Sequence, residues 1–348
     1  MNRKGVLYDV GRVMGINWRP HFDPNVVHRE LSIIKNDLHC TAVKICGLDI
    51  TRLMIAAEDA LSQGLEVWLS PEMWNKGQKQ TLAYLVKAAT AAESLRKQWP
   101  ERVIFSVGTE ATLFQRGFLK GWDLTQRIHH PSLRKQIKSG KPSQLLNAFL
   151  RTANERVREV FHGQVTYSSV IPIETVDWNL FDFVCIDVYR DRYLKTSYGD
   201  FIGRYFRYRK PVIIGEFGCC TYQGAEDAGG TGGDIVDWKT FFLPRIPLVG
   251  RLVQPRLKGD YVRDEDLQAH ELADQLTILD NVGVDGAFLM TFVSPSWPYH
   301  KCPQNDLDMA SYSLVKSYAD GKHGTTYPDM PWEPKESFRA VADYYGAH

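Results

Sequence analysis

The sequence has little that would direct it to a membrane or to nucleic acid. No stretch approaches the ~18 uncharged apolar residues that a membrane-spanning helix needs. The start, MNRKGVLYDVGRVMG, lacks the apolar stretch and the cleavage site of a signal peptide. The 42 Lys and Arg residues nearly balance the 41 Asp and Glu residues, so no excess of positive charge indicates a nucleic-acid ligand. We expect a cytoplasmic protein that binds neither nucleic acid nor a membrane.

Metal-binding and cofactor-binding patterns are also missing. The six cysteines are scattered without the paired spacing of a zinc site. Several fall in predicted strands, where a free cysteine behaves as a small apolar residue. The adjacent Cys219 and Cys220 could instead form a redox pair. His129, His130 and His300 have no carboxylate or cysteine nearby at ligand spacing. We therefore expect no metal and no cofactor.

A short apolar run followed by a helical pattern recurs along the 348 residues. The predicted strands are Val13–Trp18, Ala42–Cys46, Glu66–Ser70, Val103–Gly108, Val165–Val170, Phe183–Val188, Pro211–Gly215 and Gly286–Phe292. The helical patterns between them are Pro24–Asn36, Arg52–Gln63, Gln80–Gln98, Gln144–Phe161 and Asp264–Val282. Eight alternations predict one α/β domain over residues 1–348, a (β/α)8 TIM barrel. A doubly wound sheet would need a glycine-rich phosphate loop after its first strand, and GINWRPHFD has none.

Two long segments interrupt this repeat. Residues 111–142 follow the fourth predicted strand, and residues 221–262 follow the seventh. Segments after strands lie on the carboxyl-terminal face, where barrel enzymes build their sites. Loops of this length are usually functional or disordered. We therefore expect both segments to border a functional site.

Two glutamates stand at the ends of the fourth and seventh predicted strands. Glu216 follows the apolar run in PVIIGEFGCC, and Glu110 follows the one in VIFSVGTEATLF. Alternation places Glu110 on the same face as Ile104 and Ser106, and Glu216 on the same face as Ile214. Both carboxylates would then enter the mouth of the barrel from strands that face each other. Glycoside hydrolysis needs such a pair, one protonated and one ionised.

With these motifs the sequence resembles the (β/α)8 glycoside hydrolases of clan A. The ending GEFG after a β-branched run is typical of their seventh strand. The segments DLHCTAVKICG, AAEDALSQGLEVWLSPE and AAESLR are similar, more specifically, to a bacterial family of inferred glycosidases. Some members of that family are labelled abortive-infection proteins. The resemblance implies a retaining mechanism with the acid/base after strand four and the nucleophile after strand seven.

Carried over by position, the resemblance makes Glu110 the general acid/base and Glu216 the nucleophile. The sequence departs from the family pattern at two positions. Thr109 stands where the family usually has an Asn that binds the 2-hydroxyl of the sugar. Lys44 stands where an Arg usually braces the nucleophile, and a lysine lacks the bidentate fork. Tyr189, at the end of the sixth predicted strand, is a candidate hydrogen-bond donor to the ionised carboxylate.

Two further acids fall on the expected site face. Glu72, in WLSPEMWN, could bind sugar hydroxyls or tune Glu110, or it could be a solvated loop acid or a helix-capping partner. Asp187 could orient Tyr189, contact substrate, or make a structural hydrogen bond inside the barrel. We count both among the candidate substrate-binding residues.

Aromatic side chains after the predicted strands are candidate platforms for sugar rings, although aromatics also serve as core and loop anchors. Trp18, Trp74, Trp122 and Trp297 all lie in such places. Trp297, in TFVSPSWPYH, matches an aromatic that usually floors the subsite beside the cleaved bond in the resembled family. Phe292 is the alternative for that role.

The sequence thus predicts a glycoside hydrolase that acts on a carbohydrate by retaining double displacement. One alternative is a catalytically inactive barrel that binds carbohydrate or a protein partner, for instance in phage defence, as the departures at Thr109 and Lys44 would allow. A second alternative is a barrel lyase or hydrolase that uses a bound metal. The sequence gives no oligomeric state and does not name the sugar.

Overall fold

Eight parallel strands close into a barrel in the order of the chain, in a computed structural model that describes residues 1–11, 17, 19–242, 253–319 and 321–348. The first strand pairs with both the second and the eighth, which closes the ring. The (β/α)8 prediction is therefore confirmed. The barrel strands are β1 Arg3–Asp9, β2 Ala42–Gly47, β3 Glu66–Pro71, β4 Val103–Thr109, β5 Gln164–Val170, β6 Val184–Asp187, β7 Val212–Phe217 and β8 Gly286–Leu289.

Helices follow the strands and cover the outside of the barrel. The α-helices are α1 Pro24–Asn36, α2 Ile50–Ser62, α3 Gln78–Gln98, α4 Ala111–Phe114, α5 Leu124–Ile128, α6 Leu133–Lys138, α7 Lys141–Arg158, α8 Tyr198–Gly203, α9 Ala225–Ala228, α10 Trp238–Phe242, α11 Glu265–Val282 and α12 Glu336–Ala347. Short 3-10 helices include Trp178–Leu180, Arg204–Tyr208 and Gly229–Ile235. None of the helices in the described ranges has the length and apolar character needed to span a bilayer.

Several long helices begin at an aspartate that caps them. The side chains of Asp23, Asp49 and Asp264 accept hydrogen bonds from backbone N–H groups in the first turns of α1, α2 and α11. Such caps satisfy donors that the helix itself cannot use. The predicted helix Pro24–Asn36 is confirmed residue for residue, and the other four are confirmed within about one turn.

The first barrel strand is not where the sequence predicts it. The prediction placed it at Val13–Trp18, but β1 is Arg3–Asp9. Apart from Asn17, the predicted segment lies outside the described residues. Two apolar runs, VLYDV and VMGIN, follow each other at this end of the chain, and pairing with β2 and β8 selects the earlier one. Gly5 fits this place because a Cβ there would lie 2.4 Å from the ring of Phe288.

The two long segments after β4 and β7 contain helices. The first holds α4, α5 and α6, and the described parts of the second hold α9, a 3-10 helix and α10. A third long connection, which the sequence analysis missed, follows β8. The eighth strand ends at Leu289 rather than at Phe292, and the chain then forms a small antiparallel pair before α12. The pair consists of β9 Val315–Ser317 and β10 Trp332–Pro334.

Ion pairs fix the connection after β8 to the segment after β7. Arg263 donates to Asp306 at 3.0 Å and to Asp308 at 2.8 Å. Asp308 also forms an ion pair with the ammonium of Lys335 at 2.9 Å. Asp308 and Lys335 are fully buried, so their charges depend on this pairing. The two connections are thereby held together beside the barrel mouth.

The amino-terminal half of the barrel interior is apolar. A separate cluster of buried side chains fills it: Ala42, Trp68, Ile104, Phe183, Cys185, Ile213 and Phe288. The ring of Trp68 lies 4.9 Å from that of Phe183 and 5.2 Å from that of Phe288, so it crosses the barrel. At the amino-terminal end of the barrel, the guanidinium of Arg3 stacks on the rings of Trp68 and Phe183 and forms an ion pair with Glu66. This end of the barrel is closed.

Candidate functional site

A cavity of about 460 Å³ opens at the carboxyl ends of the barrel strands. Its described wall includes six acids and six aromatic side chains. The acids are Asp9, Glu110, Asp187, Asp191, Glu216 and Asp234, and the aromatics are Trp74, Phe114, Tyr189, Trp238, Trp297 and Tyr312. Both predicted catalytic glutamates thus line one cavity. The site lies on the face that the sequence analysis expected.

Glu110 reaches the cavity by a route that alternation does not predict. The pairing of β4 with β5 shifts register between Ser106 and Thr109, so the alternation of side chains breaks there. Strict alternation would place Thr109 on the outer face, but it is buried with its hydroxyl 2.9 Å from the hydroxyl of Ser70 inside the barrel. Glu110 then adopts a left-handed conformation with φ of 45°. Its N–H donates to the carbonyl of Ser168 at 2.8 Å, which ties the turn to β5.

Glu216 likewise follows an irregularity. β7 shifts register against both β6 and β8 near its end. Before the shift Ile213 faces the barrel interior, whereas Ile214 packs outside it, so the predicted shared face of Ile214 and Glu216 is wrong. Gly215 faces the interior, where a Cβ would lie 2.4 Å from side-chain oxygens of Asp187 and Ser168. Because glycine has no side chain, Asp187 and Ser168 can approach each other beneath Glu216.

Lys44 lies beneath Glu216 and contacts several acceptors. Its ammonium donates to the hydroxyl of Ser168 at 3.0 Å and to the carbonyl of Gly215 at 3.1 Å. It lies 3.5 Å from a carboxylate oxygen of Glu216 and 3.9 Å from one of Asp187. Burial alone would lower the pKa of the ammonium, but the two carboxylates outweigh it and raise the pKa. Lys44, predicted from the resemblance to support Glu216, therefore does contact it, through a single ammonium charge.

Asp187 completes this buried group. Its Oδ1 accepts a hydrogen bond from Ser168 at 2.6 Å, and its Oδ2 has no hydrogen-bond partner among the described residues. Burial raises the pKa of Asp187 to about 7; Lys44 opposes this rise and the charge of Glu216 adds to it. A carboxyl group near this value changes its charge around neutral pH.

Tyr189 holds the other oxygen of Glu216. Its hydroxyl donates to Glu216 Oε2 at 3.2 Å, as the sequence predicted for this residue. Burial, and then the charge of Glu216, raise the pKa of Tyr189, so it remains a donor. Its ring lies 5.2 Å from that of Tyr312, which the sequence analysis missed. Tyr312 donates to the carbonyl of Gly229 and accepts from the N–H of Gly232, which anchors the glycine-rich turn at the cavity wall.

A second buried acid supports the turn that carries Glu110. The hydroxyl of Tyr167 accepts from the N–H of Ala111 at 2.7 Å and lies 2.9 Å from Glu174. Glu174 also accepts two hydrogen bonds from Thr112. Burial raises the pKa of Glu174. Neither residue was among the sequence candidates, because the contact joins segments that no local pattern connects.

The structure places Glu72 behind the cavity wall. Its carboxylate accepts the indole N–H of Trp74 at 3.0 Å and is itself buried. The ring of Trp74 stacks on Phe114 with centroids 3.8 Å apart and 10° between the planes. Trp74 and Phe114 line the cavity as a flat apolar surface. Glu72 therefore contacts the aromatic wall, and Trp74 is the side chain exposed to the cavity.

Trp297 forms another part of the wall, and its ring lies 5.9 Å from that of Trp238. Phe292, the alternative considered for its role, is fully buried and packs against Trp332 instead. Trp122 is 71% exposed and is not among the lining residues. Trp18 lies outside the described residues. The cysteines Cys219 and Cys220 are both buried and free.

No group of three or more His, Cys, Asp or Glu side chains in the described ranges is arranged to hold a metal ion. Of the six acids in the cavity wall, Glu110 and Glu216 are the two that the sequence predicted as a catalytic pair. Glu216 contacts a buried ammonium and a phenol, and Glu110 stands at the end of β4, with β5 and β6 between the two. The flat rings of Trp74 and Trp297 supply apolar surface beside them.

Solved structures of the same architecture include several carbohydrate-processing enzymes. A GH113 β-1,4-mannanase is 15% identical with a TM-score of 0.62, over 100% of this chain and 99% of that one. A GH113 β-mannanase from Alicyclobacillus acidocaldarius is 14% identical with a TM-score of 0.58, over 99% and 97%. A β-glucuronidase from Ruminococcus gnavus is 11% identical with a TM-score of 0.58, over 99% of this chain and 50% of that one.

At these identities the likeness shows the fold alone. No protein-family model matches the sequence, and no curated protein matches it significantly. Nothing in these comparisons supports the abortive-infection label. The site itself must therefore carry the functional argument.

Proposed function

We propose that the protein is a glycoside hydrolase that works by retaining double displacement, with Glu216 as nucleophile and Glu110 as general acid/base. The observation that carries the proposal is the shared cavity, which Glu110 and Glu216 line from the ends of β4 and β7, with β5 and β6 between them. The contacts of Glu216 with Lys44 and Tyr189 support its role as the ionised partner. The solved structures of mannanases and glucuronidases with this fold are consistent with the proposal.

In the first step Glu216 attacks the anomeric carbon while Glu110 gives its proton to the departing oxygen. In the second step Glu110 takes a proton from water, and the water displaces Glu216 from the sugar. Lys44 and Tyr189 hold Glu216 in place through both steps. The ring surfaces of Trp74 and Trp297 would pack against the apolar faces of the sugars. We further propose that residues 1–348 form one domain around this site.

Replacement of Glu216 by Gly, followed by addition of azide, tests the assignment. The first substrates are 2,4-dinitrophenyl mannosides, glucosides and glucuronides, because fold neighbours act on mannans and glucuronides. We expect turnover to fall at least about 10³-fold, since the nucleophile is lost. Azide should restore it and yield a glycosyl azide of opposite anomeric configuration to the substrate. Glu101→Gly is the matched control, because Glu101 is exposed with φ of 65°, a conformation that glycine adopts freely.

Wild-type turnover in Glu216→Gly would contradict the nucleophile assignment. NMR of the first-formed product tests retention separately, because inversion would give the opposite anomer. The alternative is an inactive barrel that binds carbohydrate, which the buried Thr109 and the point charge of Lys44 favour. No turnover on a broad panel of aryl glycosides, with sugar binding preserved, would favour that alternative.

A further inference from the structure

The ammonium of Lys44 lies between two carboxylates. It is 3.5 Å from Glu216 Oε1 and 3.9 Å from Asp187 Oδ1. Asp187 and Glu216 are also register partners on the neighbouring strands β6 and β7. All three side chains are nearly completely buried. The charge that stabilises the proposed nucleophile is therefore shared with a second acid.

Asp187 is built to accept and release a proton at this place. Ser168 occupies its Oδ1, whereas Oδ2 is buried and has no hydrogen-bond partner among the described residues. Asp187 is also among the residues that line the cavity together with Glu216. An ionised carboxylate with one unsatisfied oxygen is costly when buried, and protonation of that oxygen lowers the cost because it removes the buried charge.

We propose that Asp187 is a positioning residue that sets how much of the Lys44 charge acts on Glu216, and that its ionisation makes the reactivity of Glu216 depend on pH. The proposal rests on the proposed function of Glu216 as nucleophile. When Asp187 is neutral, the charge of Lys44 acts on Glu216 alone and holds its electron density. When Asp187 is ionised, it competes for Lys44, and Glu216 can give more of its charge to the anomeric carbon.

The direction of the effect follows from the transition state. Glycoside hydrolysis passes through an oxocarbenium-like state, in which positive charge develops at the sugar. A second negative charge near this centre stabilises it. The rate of attack by Glu216 should therefore rise as Asp187 loses its proton. The raised pKa of Asp187, at about 7, places this rise between about pH 6 and pH 8.

The surroundings of Asp187 contain few other groups that could produce the same step. Lys44 faces it from β2 and Glu216 from β7, and Cys185 and Tyr189 flank it on its own segment. Burial keeps the pKa values of Cys185 and Tyr189 above their ordinary values, so both stay protonated over this range. Lys44 stays charged, because its pKa is raised. Glu174, a more distant acid, has its own hydrogen-bond partners on α4.

The test is the pH profile of kcat/KM with a 2,4-dinitrophenyl glycoside. This leaving group needs no protonation, so ionisation of Glu110 does not obscure the attack step. In the wild type we expect kcat/KM to rise about tenfold between pH 6 and pH 8. Asp187→Asn should remove the rise and hold the rate near the low-pH level of the wild type. Asp200→Asn, at an exposed aspartate on α8, is the matched control and should leave the profile unchanged.

Ser168→Ala supplies a milder variant in case Asp187→Asn does not fold. Loss of this donor removes a hydrogen bond that favours the ionised form of Asp187, so the rise should move to higher pH. A rise that persists unchanged in Asp187→Asn, or that stays at the same pH in Ser168→Ala, would overturn the proposal.

Carbon-13 NMR of the carboxyl groups measures the titration of Asp187, and its dependence on Glu216, without any substrate. The signal of Asp187 is the one missing from the spectrum of Asp187→Asn. Its midpoint should lie near pH 7 and should fall in Glu216→Gln, because the neighbouring negative charge is gone. A midpoint in the ordinary aspartate range would refute the proposal whether or not the protein hydrolyses glycosides. Absence of turnover in the wild type, with this titration intact, would overturn the proposed function alone.

Discussion

Two layers of side chains inside the same barrel differ in almost every property. The lower layer, at the amino-terminal half of the strands, is the apolar cluster around Trp68 and Phe288. The upper layer, about two residues further along most strands, contains Lys44, Ser168 and Asp187. The same eight strands thus hold an apolar core at one level and a charged cluster at the next. The barrel fixes positions, and side-chain chemistry decides which level reacts.

The two layers are stabilised in opposite ways. The lower layer gains free energy from burial of apolar surface and from close ring packing. The upper layer buries an ammonium and two carboxylates, which is favourable only if they remain paired and hydrogen-bonded. Substitutions below should therefore change stability and leave turnover by the folded protein intact. Substitutions above should change turnover or its pH dependence as well.

Phe288→Ala tests the lower layer and should have the largest effect on stability. Phe288 is fully buried and contacts Trp68 across the barrel. Loss of a buried phenyl ring leaves a cavity and should lower the free energy of unfolding by about 4 kcal/mol. Chemical denaturation measures this loss. Phe206→Ala, at a phenylalanine that is 36% exposed, should cost much less and serves as control.

Turnover per folded molecule should be nearly unchanged in Phe288→Ala at a temperature where the variant is folded. A loss of kcat beyond about threefold would contradict the separation of the two layers.

Gly215→Ala tests the upper layer by steric means. The new methyl group would lie 2.4 Å from oxygens of Asp187 and Ser168, so these side chains must move. We expect a loss of about 1–3 kcal/mol in the free energy of unfolding, from overpacking. Turnover should fall as well, because the carbonyl of Gly215 and the displaced groups all contact Lys44.

Gly203→Ala is the matched control for that substitution. No heavy atom lies within 4 Å of its Cβ position, and its backbone is helical. It should leave activity unchanged and stability equal or slightly higher. Equal effects of the two substitutions would show that the space at Gly215 has no special importance.

Period-two alternation accounts for the lower layer better than for the upper one. Period-two alternation holds along β2 and β3, so Ala42 and Trp68 face the interior below Lys44 and Ser70. It fails at the ends of β4 and β7, where register shifts move Thr109 and Gly215 into the interior. A bulge has no reliable signature in a single sequence, because it depends on pairing with the neighbouring strands.

The rest of the site escaped prediction for a related reason. Glu110, Glu216 and Tyr189 were found because each stands at or just after the end of a predicted strand. Tyr312 was missed because it lies in the connection after β8, far from any strand pattern. The hydrogen bond between Ser168 and Asp187 joins two neighbouring strands, and neither residue alone suggests it. The local sequence pattern predicts which side chains stand at the ends of strands. It does not predict the contacts between them, because these form only when the strands close into a barrel.

Asp187→Asn should also change how stability depends on pH. The folded-state pKa of Asp187, about 7, is above its usual value of 3.8. Folding therefore favours the protonated form, and this contribution to stability is complete below the usual value and is lost as pH rises through 7. The asparagine variant lacks that loss. The difference in free energy of unfolding between the asparagine variant and the wild type should be about 2–3 kcal/mol larger at pH 8 than at pH 5.

Urea denaturation at the two pH values measures this difference, with Asp200→Asn as the control at an exposed aspartate. The constant cost of placing an amide beside Lys44 cancels in the comparison. A difference of zero between pH 5 and pH 8 would mean that Asp187 has an ordinary pKa in the folded protein.

Ser70→Ala is expected to have the smallest effect, and it tests whether the upper layer behaves as a set of pairs. Removal of the hydroxyl leaves that of Thr109 buried without this partner, which should cost about 1 kcal/mol. The double variant Ser70→Ala with Thr109→Val replaces both partners by apolar groups and should cost less than the sum of the two single changes. Ser94→Ala, at an exposed serine on α3, is the control. Strict additivity would show that the two hydroxyls do not interact. The interacting polar groups of the upper layer would then be limited to the cluster around Lys44 and Ser168.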